Sequence, residues 1–176
     1  GDLRPTAPRL AARAGVSVRS VFQHFEDLSA LHIAVARRVA ERVSVLLVEL
    51  DTSLPLAERT AAFVRHRAAL LEALTPFRRA ADVHGPFSPD IRAAVRDGTS
   101  YLRREVEATF APELDRLDPA ERAGVLDALA AATSWAAWNA LRADAGATED
   151  EARAAVARTV SALLATAGRI PPAGVS

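Results

Sequence analysis

Along most of the chain, apolar residues recur every three or four positions, the spacing of one face of an α-helix. The clearest run is Leu28, Leu31, Val35, Val39, Val43, Leu46 and Leu50. It predicts a helix over 28–50, opened by Asp27 and roughly 33 Å long. Upstream, Thr6 at the N-cap and Pro8 in the first turn predict a short helix over 6–14. Gly15 ends it, and Ser17 caps a second short helix over 18–24. Downstream, Pro55 opens a helix over 55–74 and Pro76 a shorter one over 76–84. The segment "HGPFSPD" is a loop, after which Ser88 caps a helix over 89–110. "DP" at 118–119 opens a long helix over 119–145. Thr148, with Glu151 three residues later, forms a capping box that opens the last helix, to 167. Strictly alternating valine and isoleucine runs are missing and alanine is abundant, so the pattern predicts an all-α protein. A head over 1–45 and a helical body over 46–176 are expected.

Composition sharpens this picture. The chain has 176 residues, half of them apolar, enough for a sizeable core. It has no cysteine, which excludes a disulfide framework, thiol catalysis and a cysteine–zinc site. No apolar run reaches the roughly 18 residues of a membrane span, and no signal peptide is visible. A cytoplasmic location with no membrane partner is the expectation. The 22 basic residues, all arginine, balance 22 acids, but unevenly. Residues 1–25 carry Arg4, Arg9, Arg13 and Arg19 against Asp2 alone, a small basic head on a slightly acidic body.

Two short helices joined by a tight glycine turn make a helix-turn-helix. Ala11 is small where the helices would cross. Gly15 supplies the positive φ of a sharp corner. Val21 is expected to return to a core with Leu10, Val16 and Phe25. The second helix would then present Ser17, Val18, Arg19, Ser20, Gln23 and His24 outward, N-terminal end first into a DNA major groove. Arg19 can fork to guanine and Gln23 can read adenine. Thr6, Ser17 and His24 suit phosphate oxygens.

The stretch "LAARAGVSVRSVFQHFEDLSAL", residues 10–31, resembles the DNA-binding head of the TetR family of bacterial transcriptional regulators. The matching positions are Leu10, Ala11, Ala14, Gly15, Val16, Ser17, Phe22, His24, Phe25, Ala30 and Leu31. The resemblance implies a truncated homeodomain-like helix-turn-helix head plus a TetR-like helical C-terminal domain. It also implies a homodimeric regulator, a repressor by the family's majority behaviour, that binds double-stranded DNA at a near-palindrome and answers to a small-molecule effector. Arg9 and Phe22 join the DNA-facing set. Phe22 stands where the family has a tyrosine whose hydroxyl reaches a phosphate, and Leu28 where it often has a lysine, so two phosphate contacts are missing. The family also has a helix before the position of Gly1, so the natural protein is expected to continue upstream.

In the resembled family the last two helices of each subunit build the dimer interface. Here the stripe Val125, Leu129, Ala132 and Ala136, with Val156, Val160, Leu163 and Leu164, is the candidate; intramolecular core is the alternative. An effector pocket would draw on Phe63, His66, Leu70, Phe77, His84, Phe87, Tyr101, Trp135, Trp138 and Asn139. Each aromatic also suits plain core packing. "RHR" at 65–67 reads as a solvated charge cluster. No Ser-His-acid, paired-carboxylate, phosphate-loop or HExxH spacing occurs, so no enzyme, metal or cofactor is expected. The alternative function is a helical protein-interaction or ligand-binding module with a weakened DNA-binding head.

Overall fold

The computed structural model describes residues 6–24, 34, 37, 38, 41, 43 and 50–167, without the side chains of 22–24. These residues hold helices and turns but no strand. The helix expected over 28–50 lies mostly outside them; residues 34, 37, 38, 41 and 43 are helical. The described helices are α1 (Ala7–Ala14), α2 (Val18–His24), α3 (Leu56–His84), α4 (Pro89–Thr109), α5 (Ala111–Leu114), α6 (Pro119–Ala132), α7 (Trp135–Asn139) and α8 (Glu149–Thr166). A 3₁₀ turn, Gly85–Phe87, joins α3 to α4, and a π-helical segment, Ala140–Asp144, follows α7. No described helix is long and apolar enough to cross a membrane.

Two expected boundaries are corrected. Pro76 does not end a helix: α3 runs through it as one element of 29 residues. A proline inside a helix forfeits one backbone bond and crowds the preceding turn, a local penalty that this long helix absorbs. Conversely, the helix expected over 119–145 breaks at Thr133 and Ser134. The Thr133 hydroxyl donates to Leu129 O at 2.8 Å, and Ser134 Oγ accepts the Ala137 N–H at 3.2 Å as a fresh N-cap. Such side-chain bonds compete with the helical ladder. The Thr133 carbonyl also accepts from Arg67 Nη1 at 3.1 Å.

The chain divides into two compact units, residues 1–45 with 73–97, and residues 46–72 with 98–176. In the first, α1 and α2 pack together with Ala7 and Ala11 buried. Ala81, Gly85 and Ile91 are buried where α3 turns into α4, and Arg92 Nη1 closes that turn by donating to Gly85 O at 2.9 Å.

The second unit holds the main core. Residues 56–72 of α3 contribute Phe63, Val64, Ala68 and Leu71, one helical face. The Phe63 and Phe110 rings meet edge to face with centroids 5.2 Å apart. Val106, Leu114, Leu126, Leu129, Trp135 and Trp138 close around them. From α8, Ala152, Val156, Val160 and Leu164 enter at four-residue intervals. Burying each large side chain here contributes about 1.5–3 kcal/mol. Thr148 Oγ1 accepts the Glu151 N–H, and the Glu151 carboxylate accepts from the Thr148 N–H at 2.7 Å, the capping box expected from the sequence.

Candidate nucleic-acid interface

The corner between α1 and α2 is made by backbone geometry. Gly15 sits at φ +67°, the left-handed region open to glycine. Its N–H donates to Ala12 O at 3.4 Å, and the Val16 N–H reaches back to Ala11 O at 3.0 Å. Crossed bonds of this kind are the Schellman ending of a helix. Ser17 then restarts the chain as a helix: its Oγ accepts the Ser20 N–H at 3.0 Å, and its carbonyl accepts the Val21 N–H at 3.2 Å. Ser17 therefore spends its oxygen on α2, as its N-cap position requires. Thr6 stands at the N-cap of α1 with extended backbone but makes no side-chain cap bond. The capping expected of Thr6 is absent, and its hydroxyl lies on the surface.

Five of the DNA-facing candidates, Thr6, Arg9, Ser17, Val18 and Arg19, are exposed, and Ser20 is half-buried. The side chains of Phe22, Gln23 and His24 lie outside the described residues. Leu10 and Val21 are half-buried, on the inner side. Val16 departs from expectation: it is 46% exposed rather than in the core. As the residue directly after the left-handed glycine it is carried outward by the corner itself.

The pocket candidates differ in burial. Phe63 and Leu70 are sealed inside the core at 0% and 1% exposure. Phe87 is 87% exposed on the 3₁₀ turn, and Tyr101 lies at the surface. His84 and Phe77 are half-buried in the first compact unit, and Asn139 is half-buried in the second. Trp135 and Trp138 are both buried on one side of α7, as their spacing predicted. Trp138 lines a crevice, with Val64, Arg67, Ala68, Leu71, Ala132, Thr133, Ser134 and Val156. That crevice is too narrow to admit a water molecule and is a packing seam rather than a binding cavity.

The dimer candidates divide in the same way. Leu129, Val156, Val160 and Leu164 are buried in the chain's own core. Ala136 is exposed, while Val125, Ala132 and Leu163 are half-buried.

The solvated cluster expected at 65–67 is corrected in part: Arg65 is exposed and His66 half-buried, but Arg67 is inside. Arg67 is 1% exposed. Its Nη2 donates to Glu105 Oε2 at 3.0 Å and to Leu102 O at 2.8 Å, and its guanidinium lies 4.8 Å from the centre of the Phe63 ring. Burial pushes the guanidinium down from its ordinary value, and Glu105 opposes that shift. His66 Nε2 approaches Glu105 Oε1 to 3.1 Å, but the atoms are not aligned for a hydrogen bond. Arg67 lies four residues from both Phe63 and Leu71, so helical period placed it on the inner face. Its charge masked that signal. Arg59, also buried, donates to Leu54 O at 3.2 Å and pairs with Glu113, pinning the loop before α3. Among the described residues no three metal-ligating side chains converge.

No protein-family model, no curated protein and no solved structure matches the chain.

Proposed function

We propose that this protein is a DNA-binding transcriptional regulator, a repressor that acts as a homodimer on a near-palindromic duplex. The observation that carries the proposal is the corner at Gly15. It ends α1 by crossed backbone bonds and leaves Ser17, Val18 and Arg19 exposed at the start of α2. A short helix presented N-terminal end first, with a guanidinium in its first turn, suits a major groove. Exposed Arg9 and Arg13 on α1 give the same head a positive field toward a polyanion. The TetR-like motif over 10–31 agrees with this use of the corner.

Two heads in a dimer would read half-sites about one DNA turn apart, roughly 34 Å. A small-molecule effector would act by binding one head separation better than another. The test is selection of bound duplexes from a random pool by the full chain, followed by titration of the recovered duplex at several salt concentrations. A regulator recovers one palindromic sequence and binds it with an affinity that falls steeply with salt. Recovery of unrelated sequences, or of none, rejects the proposal in favour of a helical interaction module.

A further inference from the structure

Two apolar side chains flank the corner and remain in solvent, Val16 at 46% and Val18 at 38% exposure. Val18 is the first residue of α2 and precedes the exposed Arg19. The hydroxyls nearby are engaged with one another: Ser17 Oγ and Ser20 Oγ are hydrogen-bonded at 3.0 Å, and Ser17 Oγ also accepts the Ser20 N–H. The leading end of α2 therefore offers a branched hydrocarbon beside a guanidinium. Arg9, Arg13 and Arg19 are exposed on the same pair of helices, so a polyanion is the partner whose charge fits. The base edges of a major groove present one apolar group, the C5-methyl of thymine.

We propose that Val18 is a thymine reader, its side chain seated on the C5-methyl of a thymine next to the base that Arg19 contacts. This rests on the DNA-binding reading above and adds to it a named base and a named reader. Loss of the methyl removes apolar contact and leaves every hydrogen-bonding edge and phosphate unchanged.

The experiment uses the full chain and the duplex recovered from the random pool, with its thymines replaced one at a time by deoxyuridine. At one position in each half-site the affinity is expected to fall about fourfold, the equivalent of one buried methyl. Val18→Ala is expected to bind the thymine and deoxyuridine duplexes equally, with the salt slope of the unaltered chain. Because the methyl is removed from the DNA, this readout does not depend on the fold of a variant. Equal binding of every thymine and deoxyuridine duplex by the unaltered chain would overturn the inference and leave the regulator standing. So would a methyl preference that survives in Val18→Ala. A Val18→Ala chain that keeps the preference but changes its sedimentation would assign the surface to protein contact instead. If the pool yields no bound duplex, the regulator reading fails, and this inference with it.

Discussion

Arg67 and Glu105 hold each other inside the second compact unit, Nη2 to Oε2 at 3.0 Å, with side chains 2% and 10% exposed. The pair sits at a junction. The same guanidinium bonds the carbonyls of Leu102 on α4 and Thr133 at the α6–α7 break. One cation on α3 thus ties down two other elements, α4 and the α6–α7 break. Removing one member of a buried pair strands the other charge. Glu105→Leu and Arg67→Met are each expected to lower the unfolding free energy by about 3–5 kcal/mol, and the two together by much less than their sum. Urea unfolding of the single and double variants checks this. An additive double variant would mean the two side chains do not interact.

Gly15→Ala should destabilise the corner through backbone strain alone. Nothing lies within 4 Å of a Cβ built at Gly15, so sterics with neighbours contribute nothing, while φ +67° remains. The expected cost is about 1–2 kcal/mol. Proteolysis at 14–18 should quicken, with Gly15→Asn intermediate because asparagine tolerates the left-handed region. Equal cleavage of all three would show that the corner imposes no such constraint.

Leu129 distinguishes core from interface. It is fully buried in the described chain. Leu129→Ala should cost about 2–5 kcal/mol of subunit stability. Sedimentation that falls to a monomer while subunit stability is unchanged would return Leu129 to an intersubunit surface.

The capping box at the start of α8 should weaken in acid. Bonds from the Thr148 N–H and then its hydroxyl hold the exposed Glu151 carboxyl below its ordinary value. A folded value below the unfolded one adds stability at neutral pH that is lost as pH falls through the folded value. Amide exchange in the first turn of α8 should therefore speed up, relative to the neighbouring turns, as pH falls through and below the ordinary carboxylate range, once the intrinsic rate is removed. Glu151→Gln should abolish that acid dependence, and Thr148→Ala should cost about 1 kcal/mol at neutral pH. Acid dependence that persists in Glu151→Gln would place its origin elsewhere.

On the head, Arg19→Ala and Thr6→Ala should differ in kind. The first should erase preference between duplexes of different sequence, costing about 1–3 kcal/mol on the preferred one. The second should weaken all duplexes alike. Competition binding against scrambled duplexes measures both, and an Arg19→Ala chain that keeps its preference would remove Arg19 from the reading face.

Short-range chemistry was legible from residue order. The C-terminal end of α1 at Gly15, the start of α2 at Ser17, the Ser88 and Thr148 caps and the shared side of Trp135 and Trp138 all follow from interactions within about five residues. Less legible was any feature that depends on a distant partner. "RHR" reads as solvated until Glu105, 38 residues away, is brought to Arg67. The stripe on α8 reads equally as interface or core, since hydrophobic period shows that a face is buried but not against what.

Residue order by itself determined the helical class, the glycine corner at 15 and the outward end of α2, because backbone conformation and local capping decide these. Tertiary structure alone decided the pairing of Arg67 with Glu105 and with the Thr133 carbonyl. It also placed Leu129 and Val160 inside the subunit and sealed Arg67 beneath its surface. Each of those outcomes turns on a packing or charge partner far along the chain, and the free energy of such a pairing exists only once folding has closed the distance.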